Sequence, residues 1–167
     1  RLDALLSAGV GPFTHPLPFP EPYQVYMGPS IGHLFFKNEE VLRETISRYR
    51  GHFVAFHAED PVILDENKDA EDHYLRRPPE AEIEAIDLIL RMSDNYGIRP
   101  HICHLSTAEG LELIRAARKK GLRVTTEVTP HHLYYDQDNA QGFASPGNLQ
   151  CRPPVRSGLG RVGLRGG

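Results

Sequence analysis

Residues 101 to 132 read HICHLSTAEGLELIRAARKKGLRVTTEVTPHH, and their pattern indicates how the chain folds. It opens on a β-rich run from His101 to Leu105, and Ser106-Thr107-Ala108-Glu109 then predicts a capping box ahead of a helix. The apolar residues at helical spacing are Leu111, Ile114 and Ala117. Gly121 ends the helix, and a second β-rich run extends from Arg123 to Val128. The pattern predicts a strand, a helix and a second strand parallel to the first.

The same alternation occurs earlier in the chain. A strand from Tyr23 to Met27 precedes a helix over 38–49, and a strand from Phe53 to His57 precedes a helix that begins at Pro78-Pro79-Glu80 and ends near Gly97. The fold class is therefore α/β, with about four strand-helix units. A closed eight-stranded barrel typically needs ~250 residues, so the sequence predicts a partial barrel with two unpaired strand edges. Homo-oligomers formed through those edges are one hypothesis.

Three regions differ in composition. Residues 1–22 form an irregular, proline-rich segment, in which a weakly helical start gives way to prolines that block helix or ladder. Residues 23–156 form the partial barrel domain, where a loop is predicted from Pro130 to Asn148. Residues 157–167 form a tail rich in glycine and arginine, to which no structure is assigned. Because the chain opens on Arg1 and closes on glycines, we expect it to be truncated at both ends.

Composition excludes several classes of function. The 167 residues carry a formal net charge of −3 with acids and bases interleaved, which argues against a nucleic-acid partner. No apolar run approaches the ~20 residues that span a bilayer, and no secretion signal occurs, so a cytoplasmic location without membrane contact is expected. Two cysteines, Cys103 and Cys151, are too few for a disulfide framework.

Histidines lie at three of the four predicted strand ends: His57, His104, and the pair His131 and His132. In parallel strand-helix barrels the carboxyl ends of the strands build the active site, so these imidazoles are candidate zinc ligands. Because strand side chains alternate between faces, His101 cannot share that direction with His104. For any single histidine the alternative is a hydrogen-bonded core or loop residue. For His131 and His132 a structural turn and a substrate-facing role remain equally open.

Five motifs in order resemble dihydroorotases of the longer-chain bacterial and multifunctional type. They are Val25-Tyr26-Met27-Gly28-Pro29-Ser30, His57-Ala58-Glu59, Arg77-Pro78-Pro79-Glu80-Ala81-Glu82, His101-Ile102-Cys103-His104-Leu105-Ser106-Thr107 and Glu127-Val128-Thr129-Pro130-His131-His132-Leu133. The resemblance covers roughly residues 23–156. It implies a (β/α)8 TIM barrel of the metal-dependent amidohydrolase type, with one or two zinc ions. The implied reaction interconverts dihydroorotate and carbamoyl-aspartate in pyrimidine biosynthesis.

The resemblance also assigns roles to particular residues. His57 and His104 match the two histidines that bind the second metal, and Arg152 falls where the family has an asparagine or arginine near the substrate carboxylate. His132 is the second candidate for substrate binding. Glu59 and Glu127 could be catalytic carboxylates, but they lie in segments that the family uses for shape, so structural work is the favoured interpretation.

Three departures from the family leave the predicted site incomplete. The His-x-His motif of the first metal has no counterpart in Phe13-Thr14-His15-Pro16, Gln24 replaces the lysine that many members carbamylate, and the catalytic aspartate is absent. We therefore assign no catalytic residue and expect weak or no zinc retention. Two alternatives remain: a non-catalytic subunit that packs against aspartate transcarbamoylase, and another cyclic amidase of the hydantoinase or allantoinase kind.

Overall fold

The computed structural model describes residues 6–28, 34–36, 38–140 and 150–166, and the structural statements below refer to them. Its centre is one sheet in which every neighbouring pair of strands is parallel and the strands follow sequence order. The strands are Ala8–Val10 (β1), Tyr23–Tyr26 (β2), Phe53–His57 (β3), Arg99–Ile102 (β4) and Thr125–Thr126 (β5). The predicted partial barrel is confirmed, with five parallel strands in place of four.

Helices connect the strands and flank the sheet. They are Glu39–Ser47 (α1), Pro61–Glu66 (α2), His73–Arg76 (α3), Pro79–Tyr96 (α4), Ala108–Lys119 (α5), Pro130–Tyr134 (α6), Gln137–Ala140 (α7) and Gly158–Arg165 (α8). The helices α1, α4 and α5 follow β2, β3 and β4, as crossovers between parallel strands require. None of the described helices is long and apolar enough to cross a membrane.

The core lies between one face of the sheet and the long helices. In β3, Val54 and Phe56 are fully buried, whereas Phe53 and His57 are only half-buried. The buried strand residues join apolar residues of α1, α4 and α5, among them Ile46, Ile89 and Ile114, in a single cluster. Because strand side chains alternate, the opposite face of the sheet carries the half-buried polar residues. His57 lies on that second face.

Local capping agrees with the sequence at two helices and differs at a third. Asn38 caps α1 by accepting a hydrogen bond from the Val41 amide at 2.9 Å, and Gly97 ends α4 with a φ of 67°. The expected capping box at Ser106 is wrong, because Thr107 is the N-cap of α5. The Ser106 amide donates instead to the buried Glu82 carboxylate.

Several regular elements were not predicted. The strand β1 lies in the segment expected to be irregular; its three residues form a regular parallel pairing with β2, and Val10 is buried. The short helices α2, α3, α6 and α7 lie in segments that were predicted as loops. Residues 2–5 and 141–148 of the predicted helical start and loop lie outside the described residues.

The glycine-rich tail, to which the sequence assigned no structure, contains the helix α8. A Cβ at Gly163 in α8 would lie 2.6 Å from the Ala108 Cβ, so this glycine permits close contact between α8 and the start of α5. Leu164 is buried at that contact, with 6% of its surface exposed. Strand boundaries differ as well, since β4 ends at Ile102 and β5 contains only two residues.

Candidate active site

The two histidines predicted to bind metal lie side by side. His57 is the last residue of β3, and His104 follows the neighbouring strand β4 by two residues, so both side chains lie at the carboxyl edge of the sheet. The distance between His57 Nδ1 and His104 Nε2 is 2.8 Å. The two rings stand nearly perpendicular, at 77°. The parallel topology therefore brings together two imidazoles from residues that are 47 positions apart.

His104 is held in an unusual environment. Its φ is 36°, in the left-handed region that non-glycine residues rarely adopt. Its Nδ1 is buried and has no hydrogen-bond partner among the described residues. Burial, reinforced by the neighbouring His57, lowers the pKa of His104 to about 4. The ring is therefore neutral at pH 7 and keeps a nitrogen lone pair for a ligand.

Glu59, which is paired with Arg77, orients the ring of His57 through the nitrogen that is farther from His104. The His57 Nε2 atom lies 3.0 Å from Glu59 Oε2, and Glu59 is fully buried. Burial alone would raise the pKa of Glu59, but the hydrogen bonds from His57 and Arg77 and the charge of Arg77 lower that pKa to about 2. A carboxylate can only accept, so the proton of His57 is on Nε2 and its Nδ1 lone pair faces His104.

The histidine pair suits a divalent metal in its donor chemistry. Neutral imidazole nitrogens bind zinc, and a carboxylate hydrogen-bonded to the far nitrogen is the usual support for such a ligand. A catalytic zinc site typically has three protein ligands, whereas His57 and His104 provide two. The residues present therefore fit part of a metal site.

His132 occupies a different, fully bonded position. It is 3% exposed, its Nδ1 lies 2.7 Å from Thr129 Oγ1, and its Nε2 donates to the Pro153 carbonyl at 2.9 Å. Burial lowers its pKa to about 4. Both ring nitrogens are thus engaged in holding the turn at α6 against the 150–156 segment. A role for His132 in substrate binding remains a prediction.

Arg152 is exposed and lines a cavity to which the histidine pair does not contribute. His73, Arg76 and Arg77 line the same cavity. The binding of a substrate carboxylate by Arg152 remains a prediction. The structure brings His57 and His104 together, but it does not bring Arg152 and His132 into direct contact with them.

Two further groups of potential ligands occur among the described residues. One contains His131, His132 and Cys151, and the other contains His101, Cys103 and Glu127. His101 Nδ1 lies 2.8 Å from Thr125 Oγ1, so its ring is directed to β5 rather than to His57. Burial raises the pKa of the Cys103 thiol to about 11, which makes it a poor nucleophile at neutral pH.

The sequence did not indicate how the site is supported. Arg156 donates from Nε to Ser106 Oγ at 2.9 Å and from Nη1 to the Arg77 carbonyl at 2.7 Å. The fully buried Glu82 accepts from the Thr107 hydroxyl and the Ser106 amide. The two bonds of Arg156 connect the C-terminal segment to the loop that contains Arg77 and to the loop that follows His104. Arg77 and Glu82 lie in a motif of the resemblance, so the sequence associates them with the site. The contacts of Arg156 join residues that are 50 and 79 positions apart, and no local sequence pattern predicts them.

Comparisons with known proteins agree with this architecture. The chain is 35% identical over 144 residues to a dihydroorotase of Pyrococcus furiosus, covering 85% of this chain and 30% of that protein. It is 36% identical over 132 residues to an allantoinase of Escherichia coli, covering 73% and 27%. The solved dihydropyrimidinase of Brevibacillus agri superposes with a TM-score of 0.73 at 28% identity, covering 86% of this chain and 33% of that one. No family model matches the chain.

The fold and the histidine pair at its carboxyl edge define a partial barrel of the amidohydrolase type. The chain spans about 30% of the length of the curated relatives that it matches. Those relatives are cyclic amidohydrolases, namely dihydroorotases and allantoinases, and the chain is their homologue.

Proposed function

We propose that this chain contributes the His57 and His104 half of a metal-dependent active site that hydrolyses cyclic amides, with dihydroorotate as the substrate. The observation that carries the proposal is the 2.8 Å approach of the two imidazole nitrogens at the carboxyl edge of the sheet. The similarity to a dihydroorotase and the order of the five motifs support the choice of dihydroorotate. Zinc is the metal that this donor set favours.

The chain's own residues perform three tasks in this proposal. His57 and His104 hold the metal through neutral ring nitrogens, because Glu59 keeps the His57 proton on Nε2 and burial keeps His104 unprotonated. A zinc ion in such a site lowers the pKa of the water that it binds and polarises the amide carbonyl. Arg152 binds the substrate carboxylate through its planar guanidinium. His132 is the second contact, in exchange for one of its hydrogen bonds to Thr129 and Pro153.

The proposal assigns the general acid and base to residues outside this set. Gln24 in β2 cannot be carbamylated, and no carboxylate of the described residues lies within hydrogen-bonding distance of His104. The remaining ligands and the proton-transferring group must therefore come from another segment or chain. A second copy of this chain or aspartate transcarbamoylase is the proposed protein partner.

Allantoin is the second candidate substrate, because the chain is about as similar to an allantoinase as to a dihydroorotase. An Arg152 that binds a carboxylate favours dihydroorotate, since a carboxylate matches the guanidinium fork. Turnover of allantoin in preference to dihydroorotate would reverse the assignment. A non-catalytic subunit, the other alternative, would turn over neither.

Titration with Co²⁺ and Zn²⁺ under chelator competition tests the metal site directly. We expect weak binding that is lost in His57→Ala and in His104→Ala and retained in His15→Ala, in which an exposed histidine is removed. Hydrolysis of dihydroorotate and allantoin is then measured with the same variants and added zinc. Equal metal affinity in all four proteins would refute the site.

A further inference from the structure

A cavity of about 490 Å³ lies between α2, α3 and residues 150–152. Pro61 and Leu64 provide its apolar part. Its basic residues are Lys68, His73, Arg76, Arg77 and Arg152, and its one acidic residue is Asp65. Neither His57 nor His104 lines it, so the cavity is separate from the proposed metal ligands.

Two of the four permanent cations are neutralised locally. Lys68 Nζ lies 2.9 Å from Asp65 Oδ1. Arg77 is paired with Glu59, a fully buried residue that is not part of the cavity lining. Each of these pairs has no net charge. An additional anion in the cavity would gain little from either pair.

The other two cations are not neutralised. The Arg76 Nη1 atom donates to the backbone carbonyls of Ala70 and Glu71, which hold the side chain in place but carry no net charge. Within the described ranges, neither Arg76 nor Arg152 forms an ion pair with a carboxylate. The cavity therefore has two uncompensated guanidinium groups, one from α3 and one from the 150–152 segment.

The walls that carry these two groups are connected. His73 Nε2 donates to the Cys151 carbonyl at 2.8 Å, which joins α3 to the residue before Arg152. This bond limits how far the two arginines can separate. Two guanidinium groups that line one cavity, one on α3 and one on the 150–152 segment, match the charge of a doubly charged ligand with carboxylate or phosphate oxygens.

We propose that this cavity binds a small dianion, held between Arg76 and Arg152. Arg76 and Arg152 engage its oxygens, and the Lys68–Asp65 and Arg77–Glu59 pairs form the polar surround. The inference shares Arg152 with the proposed hydrolase function, but it requires neither the metal nor hydrolysis. Arg76 has no part in that function, so its substitution tests the cavity alone.

Calorimetric titration of the full chain with inorganic phosphate and with succinate, at constant ionic strength, tests the proposal. We expect saturable binding of one equivalent of at least one of the two. Arg76→Gln and Arg152→Gln should each weaken it on the order of tenfold, because each removes a charge-assisted contact. Arg76→Lys, which retains the charge, should bind more tightly than Arg76→Gln. The control is Arg91→Gln, which removes an exposed arginine of α4 that is paired with Asp87.

The two probes distinguish the sources of the anion. Binding of phosphate alone identifies a phosphate ligand, and binding of succinate alone identifies a dicarboxylate. Arg152 is exposed, so Arg152→Gln is the variant least prone to unfold and keeps the test valid if Arg76→Gln is unstable. The proposal is overturned if neither anion saturates, or if Arg91→Gln weakens binding as much as Arg152→Gln.

Discussion

The Arg77 guanidinium binds both oxygens of the Glu59 carboxylate, Nε to Oε1 at 3.0 Å and Nη2 to Oε2 at 2.5 Å. The Glu59 side chain is fully buried and that of Arg77 is 14% exposed, so the pair is largely shielded from solvent, and its carboxylate also fixes the ring of His57. The pair therefore links the stability of the loop after β3 to the orientation of a proposed metal ligand. Breaking a buried ion pair with two hydrogen bonds costs more free energy of unfolding than breaking an ion pair on the surface.

Glu59→Gln is expected to lower the free energy of unfolding by about 3 kcal/mol, because it leaves the largely buried Arg77 without its counter-charge. The matched control is Glu39→Gln, which breaks the exposed Arg43–Glu39 pair of α1 and should cost less than about 1 kcal/mol. Urea denaturation of the three proteins measures both values. Similar losses in the two variants would show that burial gives the Glu59 pair no special weight.

Stability should fall on acidification through the titration of His132. Its pKa is lowered to about 4 by burial, against an ordinary value of 6.5, so the unfolded chain takes up a proton below pH 6.5 that the folded chain refuses until about pH 4. The free energy of unfolding therefore decreases between pH 6.5 and pH 4, by on the order of 3 kcal/mol for this group.

Denaturation curves across that pH range check this expectation. His132→Gln should flatten the dependence in part, and the remaining slope should come from His104, whose pKa is lowered in the same direction. The exposed His15 provides the control, since His15→Gln should leave the slope unchanged. An identical pH profile for the wild type and His132→Gln would contradict the assignment.

Gly110→Ala should destabilise the chain, although alanine is normally the better helix former. A Cβ at this position in α5 would lie 2.7 Å from both Ile86 Cδ1 and Thr107 Oγ1, where α5 packs on α4. Overpacking of this kind costs about 1 to 3 kcal/mol. Thermal melting compares it with Glu112→Ala on the exposed side of the same helix, which should be nearly neutral. A higher melting temperature for Gly110→Ala would show that the helices can move apart.

Arg156 and Glu82 should be energetically coupled. Arg156 is 5% exposed, and its charge acts on the fully buried Glu82, where burial raises the carboxyl pKa and Arg156 opposes that rise. Arg156→Leu and Glu82→Gln should each destabilise the chain. The double variant should lose less than the sum, with a coupling of about 0.5 to 3 kcal/mol. Strict additivity in urea denaturation would indicate that the two groups act independently.

The sequence predicted the features that depend on local pattern. The β-rich run from Phe53 to His57 identified β3, and Gly97 identified the end of α4. The parallel arrangement placed His57 and His104 at one edge, where the structure brings them together. Each of these signals lies within a few residues or follows from a rule on strand ends.

The features that it missed depend on packing between distant segments. The Gly163 contact with Ala108 allows the tail to fold as α8, although its glycines have poor helix propensity. The strand β1 is too short for an alternating pattern to stand out between prolines. The bonds of Arg156 to Ser106 and to the Arg77 carbonyl follow from the tertiary structure alone.

At His104 the backbone conformation that the protein needs for a proposed metal ligand lowers the stability of the fold. With a φ of 36°, a side chain at position 104 costs on the order of 1 kcal/mol that glycine would avoid. Directed selection of this chain for heat resistance alone would therefore favour glycine there and erase the imidazole. A library screened for melting temperature and for metal affinity in parallel would diverge at this one position, with stable variants losing the ligand and binding variants keeping the strain.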